Sequence, residues 1–155
     1  MKDSIQKYFQ VGTIQWMSHP PISYDLLDSI KSIASDEYFS AVEVTSIMDE
    51  ETRKKVKHLL EQSHLKVCFG AQPSLLGPGL NPNDVDEDRR KQAEEVLIKA
   101  VDEAEYLGAG GIAFLAGKWE QDTKDLAYEQ LLKTTRSVCT HAAQKGMMVE
   151  LEVFD

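Results

Sequence analysis

Short runs of β-branched and aromatic residues alternate along the chain with longer stretches in which apolar residues recur every three to four positions. Residues 11–17 predict a first strand. Ser23 stands where an N-cap would open a helix carrying Leu26, Leu27, Ile30, Ile33 and Ala34 on one stripe. Residues 41–45 predict a second strand, and Asp49 caps a helix with Val56, Leu59, Leu60 and Ser63 in register. Residues 66–71 predict strand three. Residues 72–85, rich in Pro, Gly and Asn, read as the one long loop, and loops of that length often serve as lids or binding loops. From about Asp86 the clearest helical stripe runs through Ala93, Val96, Leu97, Ala100, Val101, Ala104 and Leu107, and Gly108 stops it as a C′ residue. Residues 111–115 predict strand four, 123–145 a helix ended by Gly146, and 147–154 strand five.

This βαβαβαβαβ order implies a parallel α/β sheet with right-handed crossovers, in a single domain without a linker or low-complexity tract. Two closures fit. One is a doubly wound open sheet. The other is a (β/α)8 TIM-barrel type, which needs about 250 residues, so that 155 residues supply a partial barrel of about five strands and four helices. Strand parity favours the barrel. Strands covered by helices on both faces are apolar throughout, but here Glu43 and Thr45 alternate with Val42 and Val44. Met148, Glu150 and Glu152 likewise alternate with Val149, Leu151 and Val153. Carboxylates pointing inward suit a lumen that leads to a polar site. The alternative is that Glu43 and Glu150 are ion-paired in the lower barrel, as buried carboxylates usually are.

Charge and composition narrow the function. Seventeen Lys+Arg against 26 Asp+Glu give a net charge of −9, which opposes binding to a nucleic-acid backbone. No window approaches the run of about 20 apolar residues of a membrane span. Residues 1–6 lack the apolar run of a secretory signal. Cys68 and Cys139 form no framework of paired spacings and read as buried thiols of a reducing, cytoplasmic compartment.

Several segments carry a resemblance. NPNDVDEDRRKQA (81–93), AEYLGAGGI (104–112), AVEV (41–44) and VELEVFD (149–155) stand in the order and spacing of one family. With them the chain resembles the xylose isomerase-like TIM-barrel superfamily, in particular its sugar phosphate isomerase/epimerase branch. The resemblance implies a divalent-metal-dependent isomerase or epimerase acting on a small sugar or polyol. The metal, Mn or Mg, is held in that family by two glutamates, an aspartate and a histidine at the ends of strands five to eight. Glu152 matches the first of these, as metal ligand and as catalytic carboxylate. The other three positions would lie beyond Asp155. Such a site works because proton removal next to a carbonyl leaves negative charge on oxygen, which a hard cation stabilises.

Trp16 and His19 follow strand one, Gln72 ends strand three, and Lys118 and Trp119 follow strand four, all at the barrel end where substrates bind; these are the substrate-binding candidates. His58, His64 and His141 read as surface residues. Inosose-type dehydratases share the scaffold. The related abasic-site endonucleases are disfavoured, because Ala71-Gln72-Pro73 lacks their histidine and the chain is acidic. A non-catalytic reading also stands: a partial barrel with free strand edges would pair with a second copy, as a homo-oligomer, or with a complementary chain.

Overall fold

Alternation of element type translates directly into topology. The computed structural model describes residues 4–153; residues 1–3, within the N-terminal reading, and residues 154–155, at the end of predicted strand five, lie outside the described residues. After a 3-10 turn at Ile5–Lys7 come β1 (Gly12–Ile14), α1 (Gln15–Ser18), α2 (Leu26–Ser35), β2 (Ala41–Val44), α3 (Glu50–Gln62) and β3 (Lys66–Gly70). They are followed by α4 (Gln72–Leu76), α5 (Glu87–Tyr106), β4 (Gly111–Leu115), α6 (Lys124–Gln144) and β5 (Met148–Glu152). The five strands are parallel and lie in chain order, β1-β2-β3-β4-β5. A doubly wound sheet reverses its strand order at a switch point. The unreversed order is that of a partial TIM barrel.

Register assigns each side chain to a face. Val42, Val44, Phe69, Ile112 and Phe114 point to the helices and are buried against Ile30, Val56, Leu97, Val101 and Val138. Glu43 pairs with Cys68, Gly70 with Ala113, and Ala113 with Glu150, so these residues face the lumen together. Among the described residues no helix is long and apolar enough to cross a membrane.

Local details depart from the sequence reading. The first strand ends at Ile14 because the chain turns into α1, where the buried Gln15 amide donates to Ser29 Oγ (2.9 Å) and Ser18 Oγ bonds back to the Ile14 carbonyl (2.9 Å). Asp25, not Ser23, caps α2, accepting from the Asp28 amide; a carboxylate also suits the helix dipole. Residues 72–76, expected in a loop, form α4, whose start Pro73 favours. Cys139 is exposed, because Thr134, Val138 and Ala142 take the inner stripe of α6, and Cys68 is only half-buried.

Helices α5 and α6 are joined by a buried cation. Arg90, 4% exposed, grips Glu87 through Nε and Nη2 (2.9 and 3.0 Å), contacts Glu94, and donates through Nη1 to Thr134 Oγ1 (2.9 Å). The Arg90 bonds, with a further one from Gln130, hold the Glu87 carboxyl down at about 2, well below 4.5. Because the folded value is depressed, the stabilisation is present above pH 4.5 and is lost as pH falls through about 2. Arg90→Ala is expected to cost about 2 kcal/mol, less than a fully buried pair because both glutamates stay partly in water. Urea unfolding at a series of pH values should show that loss and a flatter acid limb than in the parent protein.

Candidate functional site

Three strand ends and two short helices converge at the C-terminal end of the sheet. β3 ends in Gly70, where any side chain would collide with its neighbours. A Cβ there would lie 2.3 Å from the Trp16 ring, 2.4 Å from Gln72 Oε1 and 2.5 Å from Glu43 Oε1. The missing side chain therefore lets Trp16 from α1, Glu43 from β2 and Gln72 from α4 close over the strand end. Gln72 Nε2 in turn donates to Glu152 Oε2 at the end of β5 (2.9 Å).

The electrostatics are unbalanced. Glu43 Oε1 and Gln72 Oε1 are buried without a hydrogen-bond partner. Burial first, and then the nearby Glu152 and Glu150 carboxylates, push the Glu43 carboxyl above its ordinary 4.5. Burial, Glu43 and Glu150 also raise the Cys68 thiol. Among the described residues no cation pairs with Glu43 or Glu150, which corrects the ion-paired alternative. The inward glutamates face an open lumen and not basic side chains.

Beside Glu152 lies a cleft of about 380 Å³. Leu75, Leu80 and Pro82 line one side, Lys118 and Trp119 the other, and Glu152 borders it. Trp119 is 53% exposed, with Lys124 Nζ 5.5 Å from its ring centroid. Lys118 is exposed, and its carbonyl accepts from Asn83 Nδ2 (2.9 Å).

The structure thus joins Glu152, Gln72 and Trp16 into one cluster, and Lys118 and Trp119 into the adjoining cleft. His19 stands apart: its ring meets Tyr24 edge-on at 5.0 Å and Ser18 Oγ lies 3.0 Å from Nδ1. His58 and His64 are exposed, while His141 is half-buried, its Nε2 2.7 Å from Asp102 Oδ1. Gly70 and Asn83 escaped sequence reading. A glycine closing an apolar strand was the available signal for the first. Nothing in the local pattern distinguishes Asn83 from an ordinary turn residue.

As to metal, no group of three His, Cys, Asp or Glu side chains among the described residues is arranged to hold an ion. The donor chemistry would nevertheless suit a hard divalent cation, because the Glu152 carboxylate sits near further carboxylate charge that no cation among the described residues neutralises.

A model of the xylose isomerase-like TIM-barrel family matches residues 33–155. The chain belongs to this family. Its fold is similar to the crystal structure of a D-tagatose 3-epimerase-like protein (TM-score 0.76, 18% identity, 92% of this chain and 52% of that one). It is also similar to D-psicose 3-epimerase from Clostridium cellulolyticum, solved with D-tagatose (0.65, 18%, 95% and 53%). A third is a sugar phosphate isomerase/epimerase from Parabacteroides distasonis (0.65, 12%, 93% and 51%). At these identities the likeness is one of fold. The chain spans about half the length of these structures. Comparison with functionally curated proteins gives no match. Within the family barrel, the cluster around Gly70 occupies the end at which active sites are built.

Two measurements probe the cluster. Gly70→Ala should displace the Gln72 side chain from Glu152, seen in its side-chain amide resonances. The stability cost should be only about 1 kcal/mol, the low end for over-packing, because the atoms that must move are side-chain tips. Glu43 has a raised folded value, so its contribution to stability is full below pH 4.5 and is lost as pH rises from there through the higher folded value. Glu43→Gln, compared in chelator-treated protein, should therefore be more stable than the parent at pH 7 and nearly equal to it below pH 4.5.

Proposed function

We propose that this chain forms the N-terminal part of a sugar or polyol isomerase/epimerase that depends on a divalent metal and transfers a proton at the carbon next to a carbonyl. The observation that carries this reading is the placement of Glu152. Its carboxylate ends β5 at the C-terminal face, is oriented by Gln72, and borders the cleft. Family membership and the likeness of fold to structures described as epimerases support it.

Each residue has a part. Glu152 would hold the metal, and its carboxylate stands where it could take the proton from the substrate carbon. Gln72 fixes one carboxylate oxygen, so the carboxylate does not rotate freely. Trp16 offers an apolar wall to a sugar ring, and Lys118 and Trp119 meet the part of the substrate that extends into the cleft. His19 stands apart from the cluster, against Tyr24 and Ser18. When bound, manganese or magnesium would stabilise negative charge on substrate oxygens as the proton leaves. Both thiols are free, as a reducing, cytoplasmic compartment keeps them.

One feature favours a second reading. Met148 is 63% and Leu151 39% exposed on the two faces of β5, an apolar strand surface that further barrel strands or a complementary chain would cover. A chain that serves only as such a docking half would bind its complement and show no turnover.

Glu152→Gln keeps the size of the side chain and removes its charge. Activity of the protein with its barrel complete, on a ketose or polyol, should fall at least about 10²-fold. A chelator should abolish activity in the unmutated protein, and solvent deuterium should enter the substrate at the reacting carbon. Glu150→Gln should leave metal affinity unchanged and, because it removes a carboxylate that presses on Glu43, should not lower stability at pH 7. Elimination of water in place of epimerisation would assign the chain to inosose-type dehydratases, and full activity in chelator would remove the metal from the mechanism.

A further inference from the structure

The cleft beside Glu152 is built from two loops that leave different strands. One, residues 71–86, follows β3 and brings Leu75, Leu80 and Pro82. The other, residues 116–123, follows β4 and brings Lys118 and Trp119. Among the described residues a single hydrogen bond joins them, from Asn83 Nδ2 to the Lys118 carbonyl (2.9 Å). We propose that Asn83 is the positioning residue of this site: it latches the two walls of the cleft together and so holds Lys118 and Trp119 at a fixed distance from Glu152. The inference rests on the reading of the cleft as the place where substrate extends from Glu152.

Four observations support the latch. Asn83 is 4% exposed, whereas a loop asparagine ordinarily stays in water. Its Oδ1 has no partner, so the side chain is buried at a cost and keeps one bond as its return. The opposite wall is shaped to receive it. Gly117 has φ +91°, and a Cβ there would lie 2.2 Å from Asn83 Oδ1 and 2.8 Å from its Cγ, so glycine is required for both conformation and space. Finally, the latch is anchored at both ends. The Pro82 carbonyl accepts from Thr134 Oγ1 (2.7 Å), which receives Arg90 Nη1, so the Asn83 end is fastened to α5 and α6. At the other end the Ala116 amide donates to the Glu152 carbonyl (2.8 Å). A continuous path thus runs from the helix layer through Asn83 and Lys118 to the backbone of Glu152. Asn83 touches none of the reacting groups. It acts through the Lys118 backbone.

The test uses Asn83→Asp, which keeps the shape of the side chain and sets a carboxylate oxygen against the Lys118 carbonyl. Gly117→Ala is the second variant, since it evicts the same side chain from the opposite wall. Hydrogen exchange at the Ala116 amide and the indole resonance of Trp119, assigned in a Trp16→Phe background, read the wall directly. Both variants should exchange Ala116 at least about fivefold faster than the parent, the effect of one lost hydrogen bond. Both should shift the Trp119 resonance, while exchange at the core amides of β2 and β3 stays unchanged. Unchanged Ala116 exchange and an unmoved Trp119 resonance in both variants would overturn the proposal. So would faster exchange spread evenly over the whole sheet, which is the mark of general destabilisation. Calorimetric titration with D-tagatose reads function separately: the latch predicts weaker affinity in both variants. An unmutated protein without affinity for D-tagatose or other ketoses counts against the epimerase reading, and the exchange data then decide the latch alone.

Discussion

A parallel ladder leaves no freedom over which way a side chain faces, and everything else in this molecule follows from that restriction. Once Val42 and Val44 are committed to the helices, Glu43 must enter the lumen, and the same rule sends Glu150 and Glu152 inward from β5. The helix layer satisfies most of the apolar demand, with Phe69 and Phe114 fully buried in the core. The lumen is left with carboxylates. Stability and chemistry are therefore divided between the two faces of one sheet, and a change on one face is felt on the other only through the backbone.

The cost of the arrangement falls on Glu43. Half-buried, next to two other carboxylates and without a cation among the described residues, it is driven toward its protonated form. A sheet selected for stability alone would place an apolar residue there. The same charge, unpaired among the described residues, would favour a divalent cation in the proposed site.

Much of this was legible in the residues. The five strands, the long helix from Asp86 and the inward glutamates follow from period and parity, because those signals are set by the backbone repeat and need no tertiary information. The family resemblance placed Glu152 at a strand end, where the structure has it. Departures arose where one long-range contact overrides local preference. Residues 15–17 look like strand, yet Gln15 finds Ser29 and the chain coils. The convergence of Trp16, Glu43 and Gln72 joins residues 56 positions apart through the space over a glycine, and no local pattern encodes such a meeting. Asn83 is hidden for the same reason, since its partner Lys118 is 35 residues away.

The absent side chain at Gly70 has a consequence for how the barrel can change over evolutionary time. The floor of the site admits no added atom at that position without expelling the groups around it, so drift in substrate preference is steered away from the strand end. The two loops bordering the cleft carry no such restriction along most of their length. They are nevertheless coupled where Asn83 meets Gly117, which makes them heritable as a pair: a new loop after β3 succeeds only with a matching loop after β4. Diversification in this architecture is expected to proceed by replacing matched rims above a floor that sterics hold fixed.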